Sequence, residues 1–182
     1  MTITWRATTE DLYGTRRKAE LVGGRLHVME PTGLKPALGA VRVYMSLLAH
    51  QRAVGGGIAV PDNVGFLVEL PERLSFSPDA AFFTGQPSGT KFVTGAPTFA
   101  VEVCSENDYG PTAEREMLDK RRDYFAAGTL VVWDVDLINP DTVRVFKDGD
   151  AEVPAVIYRR GETAEAEPAV PGWRFPVDEL FD

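Results

Sequence analysis

The sequence predicts a single α/β domain, 1–182, in which a mixed central sheet is flanked by helices. Three observations favour this fold class. A strand-like apolar segment runs over residues 97–105, two segments have helical periodicity near 38–53 and 112–127, and several short apolar segments bounded by Gly and Pro lie between them. No repeat and no long polar linker divides the chain.

The N-terminal third is expected to form a helix, a hairpin and a second helix. Thr9 is the expected N-cap of a short helix over about residues 10–18. Alternation on both sides of a Gly-Gly pair then predicts a hairpin within residues 19–30. The second helix, about 38–53, has an apolar stripe that we assign to Val41, Met45 and Leu48, with Val43 and Leu47 beside it.

Strands follow in the middle of the chain, and a third helix precedes the last strands. We predict strands at about 58–60, 65–69 and 79–83 before the central strand. A helix over about 112–127 is bounded by Gly110-Pro111 and Gly128. Further expectations are a core strand at 130–136, its hairpin partner at 142–147, an exposed loop at 162–167, and a docked C-terminal segment, Leu180-Phe181.

Composition excludes several classes of protein. The 182 residues are 44% hydrophobic and 25% charged, as in a soluble globular protein, and the net charge of −8 argues against a non-specific basic DNA coat. No segment approaches the length of a membrane span and no signal peptide is evident, so we expect a cytoplasmic protein without membrane contact. The single cysteine, Cys104, allows no internal disulfide.

Two carboxylates interrupt otherwise apolar strands. Glu102 stands in the middle of the central strand, and Asp79 follows Pro78 at the start of the strand before it. A buried unpaired carboxylate costs several kcal/mol, so Glu102 requires a proton, an ion-pair partner or a bound cation. If the two carboxylates converge, hard oxygen ligands of this kind suit Mg²⁺.

The chain resembles the Uma-two family of restriction-endonuclease-like proteins within the PD-(D/E)XK nucleases. Pro78-Asp79 followed by Glu102 matches the nuclease pattern, although Cys104 stands where the pattern places lysine. In this family the lysine comes from the following helix, where Lys120 lies. Further matching pieces, in the expected order, are 20–26, 77–82, 101–105, Lys120 with Tyr124 and Gly128, 132–136 and 171–173.

The resemblance implies a restriction-endonuclease-like fold and Mg²⁺-dependent or Mn²⁺-dependent hydrolysis of DNA by an endodeoxyribonuclease that forms a homodimer. It implies that Asp79 and Glu102 ligate the metal, with the carbonyl of Val103 as a third ligand. Glu20 corresponds to an acidic position beside the metal. Lys120 would orient or activate the attacking water.

The sequence also allows other roles for Glu102 and Arg121. Glu102 could form a structural ion pair with Lys120, Arg121 or Arg115, and the chain could then be a non-catalytic binding or regulatory domain. Arg121 could contact a phosphate or pair with a buried acid. A protein that acts on DNA should also carry a basic rim, for which the candidates are Lys91, Arg115, Arg121 and Arg122.

Overall fold

The computed structural model describes residues 6–106, 108–139 and 141–181, and its largest element is a six-stranded mixed sheet. The helices are α1 (Thr9–Gly14), α2 (Leu34–Val54) and α3 (Pro111–Ala126), with a 3₁₀ helix at Val177–Leu180. The strands are β1 (Ala19–Val22), β2 (Arg25–Val28), β3 (Ile58–Pro61), β4 (Phe66–Leu67), β5 (Ser75–Phe76), β6 (Ala80–Phe83), β7 (Val93–Thr94), β8 (Phe99–Val103), β9 (Val131–Asp136), β10 (Thr142–Lys147), β11 (Val156–Arg159), β12 (Thr163–Glu165) and β13 (Arg174–Pro176).

The large sheet has the strand order β11-β10-β9-β8-β6-β3. Only β8 and β9 pair in parallel within it, and α3 is the connection between them. Its other neighbouring strands pair antiparallel, which makes the sheet mixed as predicted. The smaller sheets are β1-β2, β12-β13 and β5-β4-β7.

The central strand β8 is buried on both faces, and its side chains alternate between two cores. Phe99, Val101 and Val103 pack on the side of α2. Ala100 packs on the opposite side, with Tyr124 of α3. Glu102 shares a face with Ala100 because strand side chains alternate, so the helix above it is α3.

The N-terminal predictions are confirmed in outline and corrected in detail. The hairpin β1-β2 turns at Gly23 and Gly24, whose φ angles of +57° and +70° lie in the region that glycine adopts without strain. The first helix, however, is shorter than predicted. Its N-cap is Thr8 rather than Thr9, because Thr8 and Asp11 form a reciprocal capping box.

Helix α2 begins four residues earlier than predicted, and its buried face is a different one. The residues that it buries are Pro36, Gly39, Ala40, Val43 and Leu47. The predicted stripe was centred on the wrong residues, because Val41 and Met45 are 48% and 61% exposed, whereas Val43 and Leu47 beside it are fully buried. The small residues Gly39 and Ala40 on the buried face let α2 approach the sheet closely, beside the buried Val43 and Leu47.

The C-terminal region is more ordered than the sequence indicates. Strand β12 and buried Ala164 and Ala166 lie within the predicted exposed loop at 162–167, so that prediction was wrong. Leu180 is fully buried, which confirms the docked C-terminal segment. Among the described residues, no helix combines the length and the hydropathy needed to cross a bilayer.

Candidate active site

The structure brings Asp79 and Glu102 to neighbouring positions on one face of the sheet. β6 and β8 pair antiparallel with Ala80 opposite Val101, and the same register continued by one residue sets Asp79 opposite Glu102. The backbone holds Asp79 in place: its N–H donates to the carbonyl of Val101 at 3.0 Å, and its Oδ2 accepts from the N–H of Val103 at 2.8 Å. Directly opposite residues in an antiparallel pair point to the same side.

Glu102 is buried and receives two hydrogen bonds on one oxygen. Its Oε1 accepts from Nζ of Lys120 at 2.8 Å and from the hydroxyl of Tyr124 at 2.6 Å. Both donors come from α3, one helical turn apart. Tyr124 is in turn fixed by stacking on Phe76, with ring centroids 4.0 Å apart.

Glu20 reaches the same cluster from β1. Its Oε1 lies 2.9 Å from Nζ of Lys120 and accepts from the N–H of Ser77 at 2.9 Å. Its Oε2 accepts from Nη1 of Arg73 at 2.6 Å, and Arg73 also donates to Asp123 at 2.7 Å. Lys120 therefore bridges Glu20 and Glu102, which are 82 residues apart in the sequence.

Lys18 is a member of the cluster that the sequence analysis missed. Its Nζ lies 2.7 Å from Oδ1 of Asp79 and 2.5 Å from Oδ1 of Asp62. Strand periodicity offered a signal, since Lys18 precedes Glu20 by two residues and so points to the same side. Arg73, also missed, carries no comparable signal.

The ion-pair network has an excess of negative charge. Five carboxylates are connected to the three cations Lys18, Arg73 and Lys120, which leaves two negative charges uncompensated when all are ionised. The carboxylates are Glu20, Asp62, Asp79, Glu102 and Asp123. Asp62 and Asp123 are the most exposed of the five, with side chains 47% and 30% exposed, so the three more deeply buried acids are matched in number by the three cations.

The pKa shifts distinguish the two buried glutamates. Burial raises the pKa of Glu102 to about 7, and the charges of Asp79 and Glu20 add to the rise against the opposing effect of Lys120. Glu20 behaves differently: burial pushes its pKa up, but Lys120 and Arg73 outweigh burial and hold the pKa below its usual value. Burial lowers the pKa of Lys120 less than Glu102 and Glu20 raise it, so this ammonium stays protonated.

Arg121, adjacent to Lys120, belongs to a separate buried ion pair. Its Nη1 donates to Oδ2 of Asp134, and both side chains are almost inaccessible to solvent. The guanidinium also stacks over Phe146, 4.0 Å from the ring centroid. Of the two interpretations of Arg121, the structure shows the ion pair with a buried acid. The prediction that Arg121 contributes to a basic rim was wrong, because its side chain is buried.

The other expected surface residues are exposed, whereas Cys104 is not. Lys91, Arg115 and Arg122 are all exposed. Cys104 is buried, and burial raises the pKa of its thiol to about 12, so it remains a neutral thiol. Within 6–106, 108–139 and 141–181, no group of three or more His, Cys, Asp or Glu side chains is arranged to hold a metal ion.

Comparisons with known proteins agree with this architecture. No curated protein sequence matches the chain. A solved structure described as a "putative nuclease belonging to DUF820", from Anabaena variabilis, is similar over 96% of this chain and 97% of its own, with a TM-score of 0.72 and 13% identity. At that identity the likeness establishes a shared fold. It confirms the predicted fold class.

The family comparison covers nearly the whole sequence. The model of the family Uma2, described as "Putative restriction endonuclease", matches residues 7–178. This confirms the resemblance found in the sequence motifs. The chain belongs to the Uma2 family and has the fold of restriction-endonuclease-like nucleases.

Proposed function

We propose that this chain is a Mg²⁺-dependent or Mn²⁺-dependent endonuclease that hydrolyses phosphodiester bonds in DNA. The observation that carries the proposal is the meeting of Glu20, Asp79, Glu102 and Lys120 from four separate parts of the chain. Lys120 contacts two of the acids directly, and the charge of Asp79 acts on Glu102. Membership in a nuclease family supports the same activity.

The donor set fits a magnesium-type ion. Asp79 and Glu102 offer hard carboxylate oxygens on one face, and the carbonyl of Val103 is the proposed third ligand. Mg²⁺ is commonly held by one or two carboxylates together with waters and substrate phosphate, so a larger acidic cluster is not needed. When bound, such an ion would stabilise charge on the phosphate and lower the pKa of the attacking water.

Lys120 is proposed to act as a fixed cation rather than as a base. Its ammonium is held at 2.8 Å and 2.9 Å by Glu102 and Glu20, and its pKa lies above the ordinary lysine value. A permanently protonated group donates hydrogen bonds, so it can orient the attacking water and stabilise negative charge that develops on the phosphate. Glu20 is proposed as the positioning residue that keeps this ammonium in place.

A non-catalytic binding or regulatory domain is the second candidate. The observation that favours it is that lysine ammonium groups already pair with both proposed metal ligands, Lys18 with Asp79 and Lys120 with Glu102. In that case the site residues would serve stability alone. The two candidates differ in whether a divalent ion binds at Glu102.

The test combines calorimetry with Mg²⁺ and Mn²⁺ and nicking of supercoiled plasmid DNA. We compare the wild type with Glu102→Gln and with Asp119→Asn, an exposed acid on the same helix as Lys120. Loss of both metal binding and nicking in Glu102→Gln, with both kept in Asp119→Asn, supports the nuclease. A wild type that binds neither ion and is no more stable than Glu102→Gln supports the non-catalytic candidate.

The proposal includes assembly as a homodimer, which the resemblance to this nuclease family implies. Sedimentation equilibrium of the purified chain measures its mass directly. A mass of twice 19.9 kDa at micromolar concentration is expected. A monomer at all concentrations would remove the dimer from the proposal and leave the chemistry of the site unchanged.

A further inference from the structure

A small cavity opens directly beside the candidate active site. Its volume is about 110 Å³, and one side is formed by Asp79 and Val103, the proposed ligands at the metal. The other side is formed mainly by the N-terminal half of α2, with Pro36, Val41 and Tyr44 among its lining residues. A group in this cavity would therefore adjoin the proposed metal site at Asp79 and Val103, from the α2 side of the sheet, while Lys120 approaches from the α3 side.

The lining of the cavity is unsuited to a phosphate. None of its ten lining residues is basic, and the charged ones are the carboxylates Asp62 and Asp79. The rest of the lining is mostly proline, alanine and valine, with the side chain of Tyr44. An uncharged ring fits these walls, because apolar surface and an aromatic side chain favour a flat apolar face while carboxylates accept hydrogen bonds from its edge.

The size of the cavity indicates one aromatic ring system. An apolar cavity of about 150 Å³ is known to hold benzene. The cavity described here is of similar size, too small for a base pair and open to solvent on one side. Within a nucleic acid, the uncharged flat group nearest to a cleaved phosphate is the adjoining nucleobase.

We propose that this cavity receives one unstacked nucleobase of the strand that is cleaved, so that the substrate is DNA with unpaired nucleotides. The inference rests on the proposed nuclease function and adds its substrate class. Removing a base from a duplex costs free energy, and that cost is absent where the base is already unpaired. Stacking on an aromatic side chain adds favourable binding for each base.

The surface of α2 is suited to the backbone of such a strand. The helix Leu34–Val54 contains Lys35, Arg42 and Arg52 and no aspartate or glutamate, in a chain of net charge −8, and Lys35 and Arg42 also donate to the carbonyls of Leu137 and Leu180. A phosphate backbone can therefore follow α2 without meeting a carboxylate on this helix. The base beside the cleaved phosphate would then face the cavity at Val41 and Tyr44.

The first experiment needs no variant. Fluorescence anisotropy, in Ca²⁺ to limit cleavage, compares three probes: a 12-nucleotide single strand, the matching duplex, and a single strand of the same length in which the nucleotides are abasic. The single strand is expected to bind at least tenfold more tightly than either of the others. Equal binding of the single strand and the abasic strand would overturn the inference, because their backbone charge is the same.

The second experiment blocks the cavity. Ala37→Met places a larger side chain at a lining residue, and Ala53→Met places the same side chain on the exposed surface near the other end of α2. Ala37→Met should abolish the preference for the single strand, whereas Ala53→Met should keep it. The thermal unfolding midpoint of each variant verifies that it is folded.

The outcomes also separate this inference from the proposed function. Nicking that continues with no preference for unpaired DNA, or a preference that survives in Ala37→Met, overturns the cavity assignment and leaves the nuclease standing. Absence of both DNA binding and cleavage in the wild type overturns both.

Discussion

Lys18 and Asp79 form an ion pair at the mouth of the candidate active site, with Nζ 2.7 Å from Oδ1. The same ammonium lies 2.5 Å from Asp62, so it holds two carboxylates together. Since Asp79 is also a proposed metal ligand, Lys18 and a divalent cation would compete for the same oxygen.

Replacing Lys18 by methionine should therefore strengthen metal binding. Loss of the ammonium frees Asp79 and adds one unit to the negative charge of the cluster. We expect Mn²⁺ affinity, measured by calorimetry, to rise roughly 3- to 10-fold, which corresponds to at most about 1.4 kcal/mol. Lys91→Met, at an exposed lysine, is the control and should leave the affinity unchanged. Weaker binding in Lys18→Met would contradict the competition.

The stability of the metal-free protein should depend on the ionisation of Glu102. Its folded-state pKa of about 7 lies above the ordinary value of 4.5. Between these two pH values the folded state binds more protons than the unfolded state, so stability falls as the pH rises. Above about pH 7 the full cost is on the order of 3 kcal/mol.

Glu102→Gln lacks this titration and provides the measurement. In urea unfolding with EDTA, the stability of Glu102→Gln relative to the wild type should increase from pH 5 to pH 8. The matched variant Glu116→Gln, at an exposed position of α3, should show a constant difference from the wild type. A difference for Glu102→Gln that shrinks with rising pH would refute the assigned shift.

Two adjacent arginines of α3 should respond very differently to substitution. Arg121 is buried against Asp134, whereas the side chain of Arg122 is 56% exposed. Arg121→Met would leave a buried carboxylate without this partner, at an expected cost of about 3–5 kcal/mol in the free energy of unfolding. Arg122→Met should change it by less than about 0.5 kcal/mol. Equal effects in chemical denaturation would rule out the buried pair.

Gly39 and Gly14 test the close approach of α2 to the sheet. A Cβ atom at Gly39 would lie 2.5 Å from Cδ1 of the buried Leu137, whereas nothing lies within 4 Å of one at Gly14. Gly39→Ala should therefore destabilise by about 1–3 kcal/mol through overpacking. Gly14→Ala should be neutral or stabilise by up to about 1 kcal/mol. Thermal and urea unfolding of both variants measure the difference, and stabilisation by Gly39→Ala would disprove the tight contact.

Five of the six strands of the large sheet could be predicted from sequence because their signals are local, whereas β11 was not predicted. Residues 142–147 were predicted as a strand with the bounds that the structure shows, since alternation and a turn define them completely. The buried face of α2 could not be predicted in this way. Its contact with the sheet uses Gly39 and Ala40, whose small side chains contribute little to a hydrophobic pattern, while the more apolar Val41 and Met45 face outwards.

Some residues of the candidate site could be predicted from the sequence and others could not. Asp79 and Glu102 stand out because a charge in an apolar strand is unusual. Lys18 carries only the weak signal of its spacing from Glu20, and Arg73 carries none, because its partner Glu20 lies 53 residues away and an ion pair between distant segments leaves no periodic trace. The structure was needed to show that the proposed ligands are paired with lysines.

Both side chains that donate to Oε1 of Glu102 come from α3, at Lys120 and Tyr124. One residue inserted between them would turn Tyr124 by about 100° around the helix axis and separate the two donors. Insertions before or after α3 would keep the donors together. The unit β8-α3-β9 holds the carboxylate and both donors. Insertions in the loops on either side of α3 should therefore preserve the two hydrogen bonds to Glu102, whereas insertions inside α3 should break one of them.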